Sequence, residues 1–204
     1  MIHAPPSSRT AIPAAASPGR QKLREKPRPA PSRPDSRIAS AEVSATVRGM
    51  PEPTPAARTV CAHVVLDLVA SSAGDAIEQL ATGFASVPGT PSARTLAAAV
   101  LEREAQAATF LGHAAALPHA RLLEVKNLAV AFARARKPVP WTRDGDPVDL
   151  IFLGVVPAAQ PRHYLEFMRV LARALSDPQR AAALRAAPDE PAVRAWLREH
   201  LQLQ

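Results

Sequence analysis

The chain has 204 residues, with 25 Lys/Arg against 18 Asp/Glu and a single cysteine. That length suits one domain with a tail, or two small domains. The lone Cys61 excludes an intramolecular disulfide and any multi-cysteine metal site, and no run is long and apolar enough to span a membrane.

The first 58 residues stand apart. They hold eleven of the 22 prolines, no aromatic residue, and ten Lys/Arg against four Asp/Glu. Arg24-Glu25-Lys26-Pro27-Arg28-Pro29-Ala30-Pro31 reads as extended or polyproline-like. Such a stretch cannot bury enough apolar surface to offset its ordering entropy. A disordered Pro/Arg-rich arm over 1–58 is therefore expected, followed by one folded domain over 59–204. Met50 is a second candidate start of translation. The N-terminus lacks the apolar core of about 7–15 residues that a secretory signal needs. Its prolines disfavour the amphipathic helix of a transit peptide, so a cytoplasmic protein is expected. Residues 59–204 carry fifteen Lys/Arg against fourteen Asp/Glu, so the basic charge belongs to the arm. The folded part carries no global nucleic-acid footprint, and no specific nucleic acid is expected as a partner.

In chain order, His63–Val69 reads as a strand from its β-branched content. Cys61, just before it, reads as a buried structural thiol. Apolar residues at 76, 77, 80, 81, 84 and 87 fit one helical face, closed by Pro88-Gly89. A second helix starts near Pro91-Ser92, carries Leu96, Val100 and Leu101, and runs through Glu104. Leu128–Ala133 reads as a buried strand, Arg143–Asp146 as a turn, and Pro147–Val156 as a strand buried on both faces. After Pro157 a helix sets Tyr164, Phe167, Met168, Leu171 and Leu175 on one face. Ser176-Asp177-Pro178 caps a short helix, and Glu190-Pro191 opens the last. This order predicts an α/β fold, a sandwich of helices packed on a central sheet.

One segment remains unexplained by packing, Leu111-Gly112-His113-Ala114-Ala115-Ala116-Leu117-Pro118-His119. It puts an imidazole directly after a proline, with Arg103 sixteen positions upstream. The residues alone leave two readings open: a phosphoryl-accepting histidine, or a packed histidine beside a solvated helix-end arginine paired with Glu102 or Glu104.

Residues 60–203 resemble the IIA component of the bacterial phosphotransferase system, in its fructose/mannitol and nitrogen-regulatory class. The resemblance rests on Arg103-Glu104, on Thr109-Phe110-Leu111-Gly112 ahead of Pro118-His119, on Asp144-Gly145-Asp146-Pro147-Val148-Asp149-Leu150-Ile151-Phe152, and on Val155-Val156-Pro157 followed by Arg162-His163-Tyr164-Leu165. The arm has no counterpart in it. The loop departs from the family, with Gly112-His113-Ala114 where Gly-Asn-Gly or Gly-Arg-Gly is usual. Alanine enters φ > 0 less readily than glycine, so an altered loop shape is expected.

The resemblance implies a central mixed β-sheet flanked by helices and a transient phosphohistidine at His119. It implies Arg103 as the cation that neutralises the transferring group and His163 as a second imidazole beside His119. His113 is expected to face water rather than phosphate. No cofactor and no metal is expected. The implied partners are an HPr-type phosphocarrier and either a IIB component or a regulatory target, all in trans, with no membrane insertion. Two functions follow: a phosphoryl carrier of the sugar-uptake chain, or a nitrogen-type regulatory protein whose phosphorylation state controls binding to a kinase, transporter or transcription factor.

Overall fold

The computed structural model describes residues 58–204. The expected arm over 1–58 lies outside them, except for Arg58. The described residues form β1 (Thr59–Leu68), α1 (Ala73–Ala81), α2 (Ala93–Gln106), β2 (Phe110–Gly112), β3 (Ala115–Ala116), β4 (His119–Leu122), β5 (Leu128–Pro140), β6 (Pro147–Pro157), α3 (Pro161–Ser176), α4 (Pro178–Ala186) and α5 (Glu190–Leu201). The strands make a mixed sheet in the order β1-β5-β6-β3-β2, and β4 also pairs with β6. β1 is parallel to β5, β5 antiparallel to β6, and β3 and β4 both parallel to β6.

The sheet buries both faces, as the near-continuous apolar runs of β5 and β6 require. Along β5, Ala129, Ala131 and Ala133 face the core shared with α1 and α2, while Leu128, Val130 and Phe132 face the core shared with α3 and α5. Residues alternate sides because the strand repeat is two. The alanine row leaves room for α1 to lie directly on β5.

Three expectations shift. The first α-helix ends at Ala81, and Thr82–Phe84 continues as a 3-10 turn rather than as the same helix. There the Thr82 amide donates to the Gln79 carbonyl, a three-residue bond that tightens the turn, and the Thr82 hydroxyl donates to the same carbonyl at 2.7 Å. Cys61 is half-buried rather than buried, because β1 is an outer strand of the sheet. Burial still pushes its thiol pKa up. The strand expected over 128–133 runs on to Pro140, paired at its far end with the start of β6.

Asp177 caps α4 by accepting from the Gln179 and Arg180 amides, and Asp189 caps α5 by accepting from Ala192. Among the described residues, no helix is long and apolar enough to cross a membrane.

Candidate active site

The site is made where the chain running beside β6 breaks. β3 pairs with β6 at Leu150 and Ile151, and β4 pairs with the same side of β6 from Gly154 to Pro157. Leu117-Pro118 interrupts them. Pro118 has no N–H for the ladder. Leu117 instead donates its amide to the Thr109 carbonyl at 3.0 Å, and the Pro118 carbonyl accepts from Gly154 at 2.8 Å. The chain rejoins the sheet at His119, opposite Gly154.

His119 is only 6% exposed. Its Nδ1 lies 3.2 Å from the Leu117 carbonyl and 3.0 Å from the Tyr164 hydroxyl. The carbonyl can only accept, so a hydrogen bond to it needs the ring hydrogen on Nδ1 and leaves the lone pair on Nε2. Among the described residues Nε2 has no hydrogen-bond partner, and it is not one of the buried atoms left without one.

A cleft of about 470 Å³ opens beside it, lined by Ala99, Glu102, Arg103 and Gln106 of α2 and by His119, Ala120 and Arg121 of β4. Arg103 donates to the Ala107 carbonyl at 3.1 Å. Among the described residues neither Arg103 nor Arg121 has an ion-pair partner. The expected alternative pairing of Arg103 with Glu104 does not form. Glu104 is taken up by Thr109, at 2.7 Å from its amide and 2.6 Å from its hydroxyl, and by Trp141 Nε1 at 2.8 Å.

Burial holds the His119 pKa below its ordinary value near 6.5. The Leu117 carbonyl opposes this, the Arg103 and Arg121 charges add to it, and Glu104 opposes it more weakly. The imidazole is therefore neutral at pH 7. The guanidinium groups of Arg103 and Arg121 line the cleft together with the Glu102 carboxylate.

The structure brings Arg103 to His119 but not His163. His163 turns away, its Nε2 3.0 Å from the Thr59 hydroxyl on β1. The neighbouring Tyr164 takes the expected position. Consecutive helical residues point about 100° apart, so only one of the two can face β4. His113 is exposed at the tip of the β2–β3 hairpin and is not part of the cleft; its carbonyl accepts from Arg185 at 2.6 Å. Both His113 and Ala114 sit in the left-handed region, at φ 53° and 55°. That is what a two-residue type I′ hairpin turn requires. Ala114 thus adopts the φ > 0 that its glycine-like position demands.

Two residues escaped the sequence reading. Arg121 shares the His119 side of β4 by the strand period of two. Tyr164 falls in the helix's apolar row with Phe167 and Leu171, and that row is itself the signal that it points inward.

Residues 61–200 match the family described as phosphoenolpyruvate-dependent sugar phosphotransferase system, EIIA 2. A nitrogen regulatory protein of Bradyrhizobium diazoefficiens is 32% identical over 127 residues, which is 62% of this chain and 82% of that protein. The crystal structure of nitrogen regulatory protein IIA-Ntr from Neisseria meningitidis is 30% identical, with a TM-score of 0.62, over 68% of this chain and 95% of that one. The Escherichia coli mannitol IIA enzyme, solved in complex with its phosphorylated IIB, shares the fold at 19% identity, with a TM-score of 0.56 over 67% of this chain and 94% of that one. The chain belongs to the EIIA 2 family of the phosphoenolpyruvate-dependent sugar phosphotransferase system.

Proposed function

We propose that the protein is a phosphoryl carrier, accepting a phosphoryl group on His119 Nε2 from an HPr-type phosphocarrier and passing it to a IIB component. The observation that carries this reading is a neutral imidazole whose Nε2 has no partner among the described residues, beside two arginines that have no counter-ion among them. In loading, the Nε2 lone pair attacks phosphorus as the bond to the donor's ring nitrogen breaks, and that electron pair returns to the donor. Charge on the equatorial oxygens is met by Arg103 and Arg121. Little else is needed, because such transfers depend mainly on positioning and charge. The carrier domain is taken as 59–204, so a chain lacking residues 1–49 loads as the full chain does.

The test is intact mass after incubation with phosphoenolpyruvate, Enzyme I and HPr. One acid-labile phosphoryl group on the wild type and none on His119→Ala supports the carrier reading. No loading of the wild type by an active relay overturns it.

A second reading is a nitrogen-type regulatory protein acting through the same site. It is supported by the 82% coverage of the Bradyrhizobium protein and the 95% coverage of the Neisseria structure. Transfer onward to a IIB component favours the first reading. Loading that changes binding to a kinase, transporter or transcription factor without onward transfer favours the second.

A further inference from the structure

The second group on the imidazole is a phenol, and its chemistry differs from that of the histidine expected there. Tyr164 is 3% exposed, in the first turn of α3 and in one buried row with Phe167, Leu171 and Leu175. Its ring lies 4.8 Å from the His119 ring, tilted by 39°. Its hydroxyl and the Leu117 carbonyl both approach Nδ1, at 3.0 and 3.2 Å. Two oxygens share one nitrogen in this way when that nitrogen carries a hydrogen. A hydroxyl donating to a bare Nδ1 would leave the carbonyl facing a lone pair.

Loading changes what that hydrogen does. Once the Nε2 lone pair becomes an N–P bond, a ring that keeps its Nδ1 hydrogen is an imidazolium. On discharge the N–P electron pair returns to Nε2 and a neutral imidazole leaves. If the Nδ1 proton were lost first, the leaving group would be an imidazolate, a much stronger base and a poor leaving group. We propose that Tyr164 is a positioning residue which, with the Leu117 carbonyl, holds the Nδ1 hydrogen of His119 through loading and discharge, so that the phosphoryl group enters and leaves without a proton moving. This rests on His119 being the acceptor.

A phenol suits this task better than a second imidazole. An imidazole titrates near pH ~6.5 and cannot accept once it is protonated. Burial pushes the Tyr164 pKa up to about 12, despite Arg103 and Arg121, so the hydroxyl stays neutral wherever the site operates. The charged groups facing His119 are Arg103 and Glu104 of α2 and Arg121 of β4, with Glu102 on the same cleft. From α3 only Tyr164 reaches it: His163 is bonded to Thr59, and Arg162 and Glu166 are exposed.

The experiment is ¹⁵N NMR of histidine-labelled full-length protein, wild type and Tyr164→Phe, before and after loading, together with phosphoryl discharge to a nucleophilic acceptor as a function of pH. The wild type is expected to hold the Nδ1–H tautomer. In Tyr164→Phe the loaded ring should lose its Nδ1 proton about one pH unit lower. Discharge at pH 8 should slow about tenfold, the cost of one hydrogen bond, with the phosphocarrier concentration for half-maximal loading unchanged. An Nε2–H tautomer in the wild type, or identical pH profiles for the two proteins, overturns the proposal. If Tyr164→Phe does not fold, the wild-type tautomer decides alone. The tautomer is read without any phosphoryl donor. An Nε2–H ring in a protein that loads at His119 therefore sinks this proposal only, whereas an Nδ1–H ring in a protein that never loads sinks the carrier reading.

Discussion

Glu104 accepts a 2.8 Å hydrogen bond from the Trp141 indole, which ties the end of α2 to the turn between β5 and β6. The same carboxylate accepts two bonds from Thr109, just before the hairpin that leads to His119. One side chain therefore fixes the helix end that presents Arg103, the strand that precedes the site and the turn beneath it.

Glu104→Ala should destabilise the fold by about 1–3 kcal/mol, because the Trp141 and Thr109 donors lose their acceptor. Trp141 is buried, so water replaces that acceptor poorly. Glu104→Gln keeps one acceptor oxygen and should cost less. Urea denaturation followed by tryptophan fluorescence checks both. Equal stability of wild type and Glu104→Ala would show that this anchor is dispensable.

Arg103→Ala should slow loading of His119 by about 10²-fold, the usual effect of removing one charged donor from a transferring group. Arg103→Lys should recover only part, since an ammonium supplies charge without the planar fork. Arg121→Ala should have a smaller effect, because Arg121 is exposed and its field is screened. Rates of phosphoryl transfer from loaded HPr, measured by rapid quench, separate the three.

The depressed pKa of His119 fixes the sign of two pH effects. Loading requires the neutral ring, so its rate should stay flat down to about pH 6.5 and fall only below that, through the lowered value. Stability follows the same direction. Between the lowered native pKa and the ordinary value near 6.5, the unfolded chain binds more protons. Stability should therefore rise with pH across that window, be complete above 6.5, and be lost as pH falls through the native value. Denaturation curves from pH 5 to 8 should show this slope in the wild type and a flatter one in His119→Gln.

Ala114→Gly should stabilise the protein by about 0.5–1 kcal/mol. Ala114 sits at φ 55°, and an L-residue pays about 1–2 kcal/mol to hold that conformation, part of which glycine returns as unfolded-chain entropy. The turn is held in place by Arg185, which bonds the His113 carbonyl at 2.6 Å and Asp149 at 2.6 and 2.8 Å. Because the loop shape is already set, loading should be unchanged. A melting temperature at or below that of the wild type would contradict the strain.

Much of the fold was legible because its signals are local. The apolar runs of β5 and β6, the 3.6-residue stripe of α3, and the Asp-Pro and Asp-Glu-Pro starts of α4 and α5 act over a few residues and need no partner. The short strands β2 to β4 were not legible, because two to four residues carry too little pattern to show a period. The break at Leu117-Pro118 gains its meaning only from β6, which pairs with both β3 and β4 on either side of it.

At the site, the chain alone supplied a histidine after a proline, an arginine near a helix end and a short loop between them, and left open whether that histidine accepts a phosphoryl group or packs. The resemblance put His163 beside His119, but adjacency along a helix does not say which of two neighbours faces the sheet, and the structure puts Tyr164 there instead. That choice was made when the α3 stripe of Tyr164, Phe167 and Leu171 packed inward. The same packing carried His163 to Thr59 and left a hydroxyl beside Nδ1. Nor could the chain alone show that Arg103 goes without Glu104, because that carboxylate is shared between nearby Thr109 and Trp141, a residue distant in sequence that β5 brings back beneath the end of α2. Side-chain direction and the competition for one carboxylate are set by packing between elements, and only the tertiary structure decides them.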